Sequence, residues 1–299
     1  MSKKLLITGA SGFLGWYLCQ IAQEKYSVYG TYFSHQIEIP GAKTVNVNLT
    51  DENQLRQVFQ DIQPTAVIHT AALSQPNFCQ THPQESHKIN VIASKNIAEL
   101  CADASIPCVF TSTDLVFDGK NAPYKETDSV NPVNTYGEQK VMAEEEMLKC
   151  YPMTAVCRMP LMFGAATPTA KSFIQGFIET LQQGKELNLF IDEFRTPVGA
   201  LTAAKGLLLV LEKQFNGCIH LGGLEKISRY EFGKLMVKIF QLANAKIKPG
   251  KQQDVKMAAP RPSDVSLDSS VAFELGYSPF SVKKELEMSF SACSREILN

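Results

Sequence analysis

Tyr136 and Lys140 frame the run Tyr136-Gly137-Glu138-Gln139-Lys140, which sets a phenol and an ammonium one helical turn apart on one face. A free phenol titrates near ~10, too high for effective general acid–base work at neutral pH. A nearby ammonium favours the phenolate and lowers that value, so the spacing suits a tuned proton donor. Y-x-x-x-K also describes many ordinary solvated helix faces, and a second feature must separate the two. Thr111-Ser112-Thr113-Asp114 supplies it as a hydroxyl cluster that closes a β-rich run upstream of Tyr136. A hydroxyl at Thr113 can hold a substrate carbonyl and stabilise the oxyanion that forms as hydride arrives.

A hydride needs a carrier, and Thr8-Gly9-Ala10-Ser11-Gly12-Phe13-Leu14-Gly15 follows an apolar strand and opens a helix. Gly9 allows the tight turn, Gly12 lets the backbone approach a pyrophosphate, and Gly15 permits close packing of helix on sheet. The helix N-terminus then points free N–H groups at the phosphates. Ser11, Phe13 and Leu14 complete this seat for a nicotinamide dinucleotide, although the spacing is G-x-x-G-x-x-G rather than the commoner G-x-G-x-x-G. An Asp or Glu ending the second strand would bind the ribose 2′-hydroxyl and repel a 2′-phosphate. Here Thr31-Tyr32-Phe33-Ser34-His35 has no acid until Glu38. That favours NADP(H) over NAD(H), with Ser34 or His35 as phosphate donors and Tyr32 alongside. Asn48 and Leu49, after the third strand, would flank the adenine. Thr70-Ala71-Ala72, after the fourth, forms a small-residue floor for the nicotinamide-side ribose, while His69 reads as a satisfied core histidine. Thr111 and Met159, at the ends of the fifth and sixth strands, complete the expected cofactor contacts.

The elements that must position these residues alternate through the first 160 positions. Strands are expected at 4–8, 27–32, 44–47, 66–70, 108–113 and 155–158, with helices at 12–25, 51–62, 83–104 and 133–150. The strand runs are rich in Val, Ile and Phe and lack strict alternation, as when both faces are covered. Their repetition implies right-handed crossovers and a Rossmann-type, doubly wound parallel sheet of the α/β class. The C-terminal strand ends, Thr113 included, would then lie beside the dinucleotide at the switch point. After Pro160 the rhythm breaks. Helices fit 170–183, 201–213 and 282–292, and strands fit 187–190 and 218–221. Ser228-Arg229-Tyr230-Glu231 is a capping box that opens a helix running to about Ala243. The expected division is a dinucleotide-binding domain over 1–160 and a smaller mixed α/β substrate lobe over 161–299, interleaved with the first.

Composition narrows the partners. The chain has 299 residues, 44% of them hydrophobic, and a formal net charge of −1 with scattered charges. No Lys/Arg run offers a nucleic-acid face. The apolar stretch after Met1-Ser2 is too short for a signal peptide, and Gly206 to Leu211 is too short to span a bilayer. A cytoplasmic protein is expected. The eight cysteines, Cys293 among them, form no C-x-x-C pair and read as buried or half-buried thiols. His82, Glu85 and His87 have poor spacing for one helical face, so no metal site is expected.

Taken together, Thr8–Gly15, Ala71-Ala72, Ser112-Thr113 and Tyr136/Lys140 resemble the extended short-chain dehydrogenases/reductases. More narrowly, Ser112-Thr113-Asp114-Leu115-Val116-Phe117-Asp118-Gly119 and Pro123-Tyr124-Lys125-Glu126-Thr127-Asp128 resemble the dTDP-4-dehydrorhamnose reductase group. So do Pro132-Val133-Asn134-Thr135-Tyr136-Gly137 and Arg261-Pro262 with Leu267-Asp268. The resemblance implies that Tyr136 protonates the ketone oxygen of a nucleotide-activated 4-ketosugar while the nicotinamide delivers hydride. Thr113 would hold the oxygen, and Lys140 would tune Tyr136 and bind ribose. Ser74, Asn77, Asp114, Arg158 and Arg195 are the expected substrate contacts, though a structural ion pair is an equal reading of both arginines.

Three departures bear on the substrate. The group usually has Tyr at Leu115 and Thr-Ser at Met159-Pro160, and its substrate-side sequence differs from Leu73–Cys79. Arg158-Met159-Pro160 and Ala259-Pro260-Arg261-Pro262 also resemble the regulatory β subunit of methionine adenosyltransferase. That resemblance implies a dinucleotide-binding partner protein, and a second copy or a partner enzyme remains open as its associate. A sugar-nucleotide epimerase or dehydratase is a third alternative. Related dehydratases carry Asp-Glu where this chain has Asp114-Leu115, and epimerases hold NAD through an acid on the second strand that is absent here.

Overall fold

The computed structural model describes residues 3–297, with side chains described through Ser291; Met1, Ser2 and the Cys293 thiol lie outside the described residues. The first half runs β1 (Lys4–Thr8), α1 (Phe13–Ala22), β2 (Ser27–Tyr32), β3 (Lys43–Asn46), α2 (Glu52–Ile62) and β4 (Ala66–His69). It continues with α3 (Pro76–Thr81), α4 (Pro83–His87), α5 (Ala93–Ala104), β5 (Cys108–Thr113), α6 (Thr135–Cys150) and β6 (Ala155–Met159). The second half holds β7 (Met162–Phe163), α7 (Phe173–Gln182), β8 (Leu187–Phe190), β9 (Phe194–Arg195), β10 (Val198–Gly199) and α8 (Ala200–Glu212). Then follow β11 (Gly217–His220), β12 (Ile227–Ser228), α9 (Arg229–Ile239), β13 (Ile247–Gly250), α10 (Ser270–Leu275) and α11 (Val282–Ile297).

Seven parallel strands form the central sheet in the order β11-β6-β5-β4-β1-β2-β3. Every residue of β4, β5 and β6 is buried, which explains why these strands read as continuous apolar runs rather than alternating ones. One face packs on α1 and α8 through Leu14, Leu18, Ala203 and Leu207. The other packs on α2, α5 and α6 through Leu55, Phe59, Ile97, Ala143 and Met147. The chain leaves β1 toward β2 on one side and returns to β4 on the other, so the crevice opens where β1 and β4 end.

The structure revises several boundaries. The helix expected over 83–104 is α4 and α5 joined by a π turn at Lys88–Ile92, and α3 precedes it. Pro76 and Pro83 each sit in the first turn of a new helix, where a missing N–H costs nothing. Asn90, in the π turn, spends its amide on Leu73 and Gln139 rather than on solvent. The strand expected at 218–221 is β11, and it joins the central sheet beside β6. α8 and α10 also pack on the central sheet, whereas β7, α7, β8, α9 and α11 build a second core, where Phe163 meets Phe232 edge-on and Phe173 packs beside it. Ser228 and Glu231 close the expected capping box at α9. Among the described residues no helix is long and apolar enough to cross a membrane.

Two caps fix the helices next to the crevice. Asp51 caps α2 by accepting from Gln54 N. Asn134, itself 2% exposed, caps α6 by accepting from Gly137 N at 3.0 Å and donates to Pro260 O at 3.0 Å. One side chain thus starts the Tyr136 helix and ties it to the second half. Asn134→Ala should cost about 1–2 kcal/mol, the upper part of the range for a lost cap, because the hydrogen bond to Pro260 O goes with it. Urea unfolding would measure it.

Candidate active site

The glycine turn is built as its residue types require. Gly9 has φ +72°, and a Cβ there would lie 2.8 Å from the Ala71 backbone. At Gly15 a Cβ would lie 2.2 Å from Gly9 O, so α1 sits against the turn only because this residue has no side chain. Gly12 is the N-cap of α1, with no side-chain cap and no acid in the first turn. The first N–H groups of α1 therefore face the cavity with no intrahelical partner, as an anion-binding helix end must.

A cavity of about 640 Å³ runs along this edge of the sheet. It is lined by Gly9, Ser11, Gly12, Phe13, Leu14 and Gly15 of the turn. Tyr32, Ser34, Asn48, Leu49, Thr70, Ala71, Ala72, Thr111 and Met159 line it too, so the structure gathers nearly all the expected cofactor residues. His35 is the exception: its Nδ1 pairs with the Ser34 hydroxyl at 3.0 Å, and it is not part of the lining. His69 is fully buried between Thr8 at 2.6 Å and Ser94 at 3.0 Å, a core histidine as expected.

Thr113, Tyr136 and Lys140 line the same cavity. Tyr136 is 7% exposed and lies near the Thr113 hydroxyl, which with it lines the cavity. Burial raises its phenol well above the ordinary range, opposed by Thr113 and by the Arg195 guanidinium. This is the opposite of the lowering expected from Lys140, because desolvation outweighs the charges around the phenol. Lys140 is 2% exposed, with its ammonium 4.3 Å over the Phe110 ring. Burial pulls it down to about 7, against the pull of Glu144.

The substrate side carries a charge network that local sequence patterns did not show. Arg195 donates to Asp114 Oδ1 at 2.6 Å and lies 3.5 Å from Glu193, which also meets Arg229 at 3.3 Å. Asp114, Glu193, Arg195, Arg229, Arg261 and Ser74 all line the cavity. Asp114 Oδ2, Arg195 Nε and Arg229 Nη1 have no hydrogen-bond partner among the described residues. Burial raises the Asp114 carboxyl, with Arg195 pulling the other way. Glu193 and Arg229 have no motif of their own; Arg229 is simply the first helical residue after the Ser228 cap.

Two expected substrate contacts fall elsewhere. Arg158 does not reach the cavity mouth: it is 6% exposed, bonded to Glu144 at 2.8 Å, and stacked on Phe117. Asn77 accepts from Ala259 N and Arg261 Nη2, both at 3.1 Å, and joins α3 to the loop at Pro260 rather than lining the cavity.

The match to a family model described as the RmlD substrate binding domain covers residues 3–293. The chain belongs to that family. It is 30% identical to the methionine adenosyltransferase 2 subunit beta of Xenopus laevis over 92% of this chain and 83% of that protein. A structure titled a hypothetical dTDP-4-dehydrorhamnose reductase from Sulfolobus tokodaii is 31% identical, with a TM-score of 0.83 over 93% of this chain and 98% of that one. The dTDP-4-dehydrorhamnose reductase of Bacillus anthracis, solved with NADP, shares the fold at 22% identity and a TM-score of 0.88, over 98% of this chain and all of that one (100%).

The structure buries Arg195 and Asp114 as a pair, and each is costly alone. Arg195→Met should destabilise the chain by about 3–5 kcal/mol, because it leaves Asp114 buried without its counter-charge. Arg195→Met/Asp114→Leu, removing both charges, should recover most of that loss in thermal unfolding.

Proposed function

We propose that this chain is an NADPH-dependent reductase of a nucleotide-activated 4-ketosugar, an oxidoreductase acting on a ketone/CH–OH pair. One observation carries the reading: a single cavity is lined both by the uncapped glycine-turn helix and by Thr113, Tyr136 and Lys140. The family and the likeness to dTDP-4-dehydrorhamnose reductases support it. In this reading residues 1–160 hold the dinucleotide and 161–299 supply the substrate lobe, in the cytoplasm. The cavity fits such a cofactor, since the α1 N–H groups await an anion and the end of β2 presents Ser34 without an acid.

A reduced nicotinamide bound there supplies hydride to the carbonyl carbon. Tyr136 gives its phenol proton to the carbonyl oxygen, and Thr113 holds that oxygen beside it. The Lys140 ammonium donates to the ribose hydroxyls and balances charge as the phenolate forms. Ser74, Asp114 and Arg195 contact the substrate, with Arg229 and Arg261 toward its anionic part.

Tyr136→Phe should lower kcat for NADPH oxidation by about 10²–10⁴-fold on the right 4-ketosugar nucleotide. Turnover unchanged by that substitution would show that the proton comes from elsewhere. Lys140 must be protonated to act, and its folded value lies near about 7. The rate should therefore hold below that pH and fall as pH rises through it, by roughly tenfold per unit on the alkaline side. A flat profile from pH 6 to 9 would remove Lys140 from this role.

The second reading is a dinucleotide-binding regulatory subunit, favoured by the identity to the methionine adenosyltransferase beta subunit. It expects NADPH binding without turnover on any ketosugar, together with a stable complex with a methionine adenosyltransferase catalytic chain. Calorimetric titration against such a chain, run beside the oxidation assay, separates the two readings.

A further inference from the structure

Glu144 follows Lys140 by one helical turn, as Lys140 follows Tyr136, so three ionisable side chains stack along one face of α6. Glu144 is 5% exposed. Its carboxylate is fixed from two strands at once: the Ser112 hydroxyl of β5 donates to Oε1, and Arg158 of β6 donates through Nε at 3.2 Å and Nη2 at 2.8 Å. Ser112 and Arg158 are register partners across β5 and β6. The Arg158 guanidinium is held in turn 5.1 Å over the Phe117 ring. Neither Glu144 nor Arg158 lines the cavity, so this pair sits behind its wall.

The groups around Lys140 leave Glu144 as its counter-charge. His69 on β4 is kept neutral, since burial and the Lys140 charge push it down to about 3. Burial pushes the Cys79 thiol of α3 up, and it pushes the Tyr136 phenol up as well. Glu144, one turn along α6, is the group that most opposes the desolvation of the ammonium.

We propose that Glu144 is a positioning residue for the Tyr136–Lys140 pair: fixed by Ser112 and Arg158, it keeps Lys140 an ammonium and locks α6 against β5 and β6. The proposal rests on the role given to Lys140 above. Lys140 is read directly by ¹³C NMR of protein labelled at the lysine Cε carbons, its signal assigned through Lys140→Met. In the parent this signal should titrate near about 7. In Glu144→Gln its midpoint should fall by about one pH unit or more, because the opposing charge is gone. Glu144→Gln leaves Arg158 buried without its partner, so Glu144→Gln/Arg158→Met is measured beside it and should show the same fall. Arg158→Met alone keeps the carboxylate, and its Lys140 midpoint should stay at or above the parent's. A midpoint unmoved in both Glu144 variants, with only thermal stability reduced, would mark the pair as purely structural and overturn the proposal. The readout needs neither substrate nor turnover, so it fails or succeeds separately from the reductase reading.

Discussion

Lys140 is 2% exposed, and taking an ammonium out of water costs several kcal/mol unless other groups replace the lost solvation. Around it stand an aromatic face at Phe110 and the Glu144 carboxylate one turn along the same helix. Ser112 and Arg158 reach across from two neighbouring strands to hold that carboxylate. The helix carrying Tyr136 is therefore pinned at its start by Asn134 and in its middle by a buried charge pair. Between those two anchors the tyrosine and lysine have little freedom to turn. A site fixed on a packed helix and a central strand holds its geometry better than one carried on loops.

The parallel sheet decides where that helix can point. Because β1 sends the chain to β2 on one side and β4 on the other, the strand ends between them stay uncovered by any crossover. The glycine turn lies at the end of β1, Ala71 follows β4, and Thr113 ends β5. Three strand ends thus meet one cavity, and the sheet does the positioning that no single segment could. The second half contributes the opposite wall, with Glu193 just before β9, Arg195 in it, and Arg229 opening α9.

Two buried ion pairs flank the site and do different work. Glu144–Arg158 has both carboxylate oxygens engaged and stands behind the wall. Asp114–Arg195 faces the cavity, with Asp114 Oδ2 and Arg195 Nε unpartnered among the described residues. Arg158 Nη1 finds no partner among the described residues, but a carboxylate with both oxygens engaged suits a scaffold, whereas Asp114, with an oxygen open at a cavity, suits a ligand that completes it.

The sequence by itself determined what depends on short spacing. The glycine turn, the Tyr136–Lys140 step, the capping box at Ser228 and the alternation of strands and helices are all local, because backbone sterics and helical periodicity act over a few residues. Arg158 was not legible in this way: the sequence sets it among the substrate contacts with an ion pair as an equal alternative, and the structure buries it against Glu144. Only the tertiary structure decided which charges meet. Asp114 and Arg195 are 81 positions apart, and Asn77 finds Arg261 across 184. It also placed β11 in the central sheet and broke the expected helix over 83–104 at Lys88–Ile92. Those outcomes follow from register, burial and competition for hydrogen bonds among distant segments, and a residue's own neighbours in the chain carry no record of them.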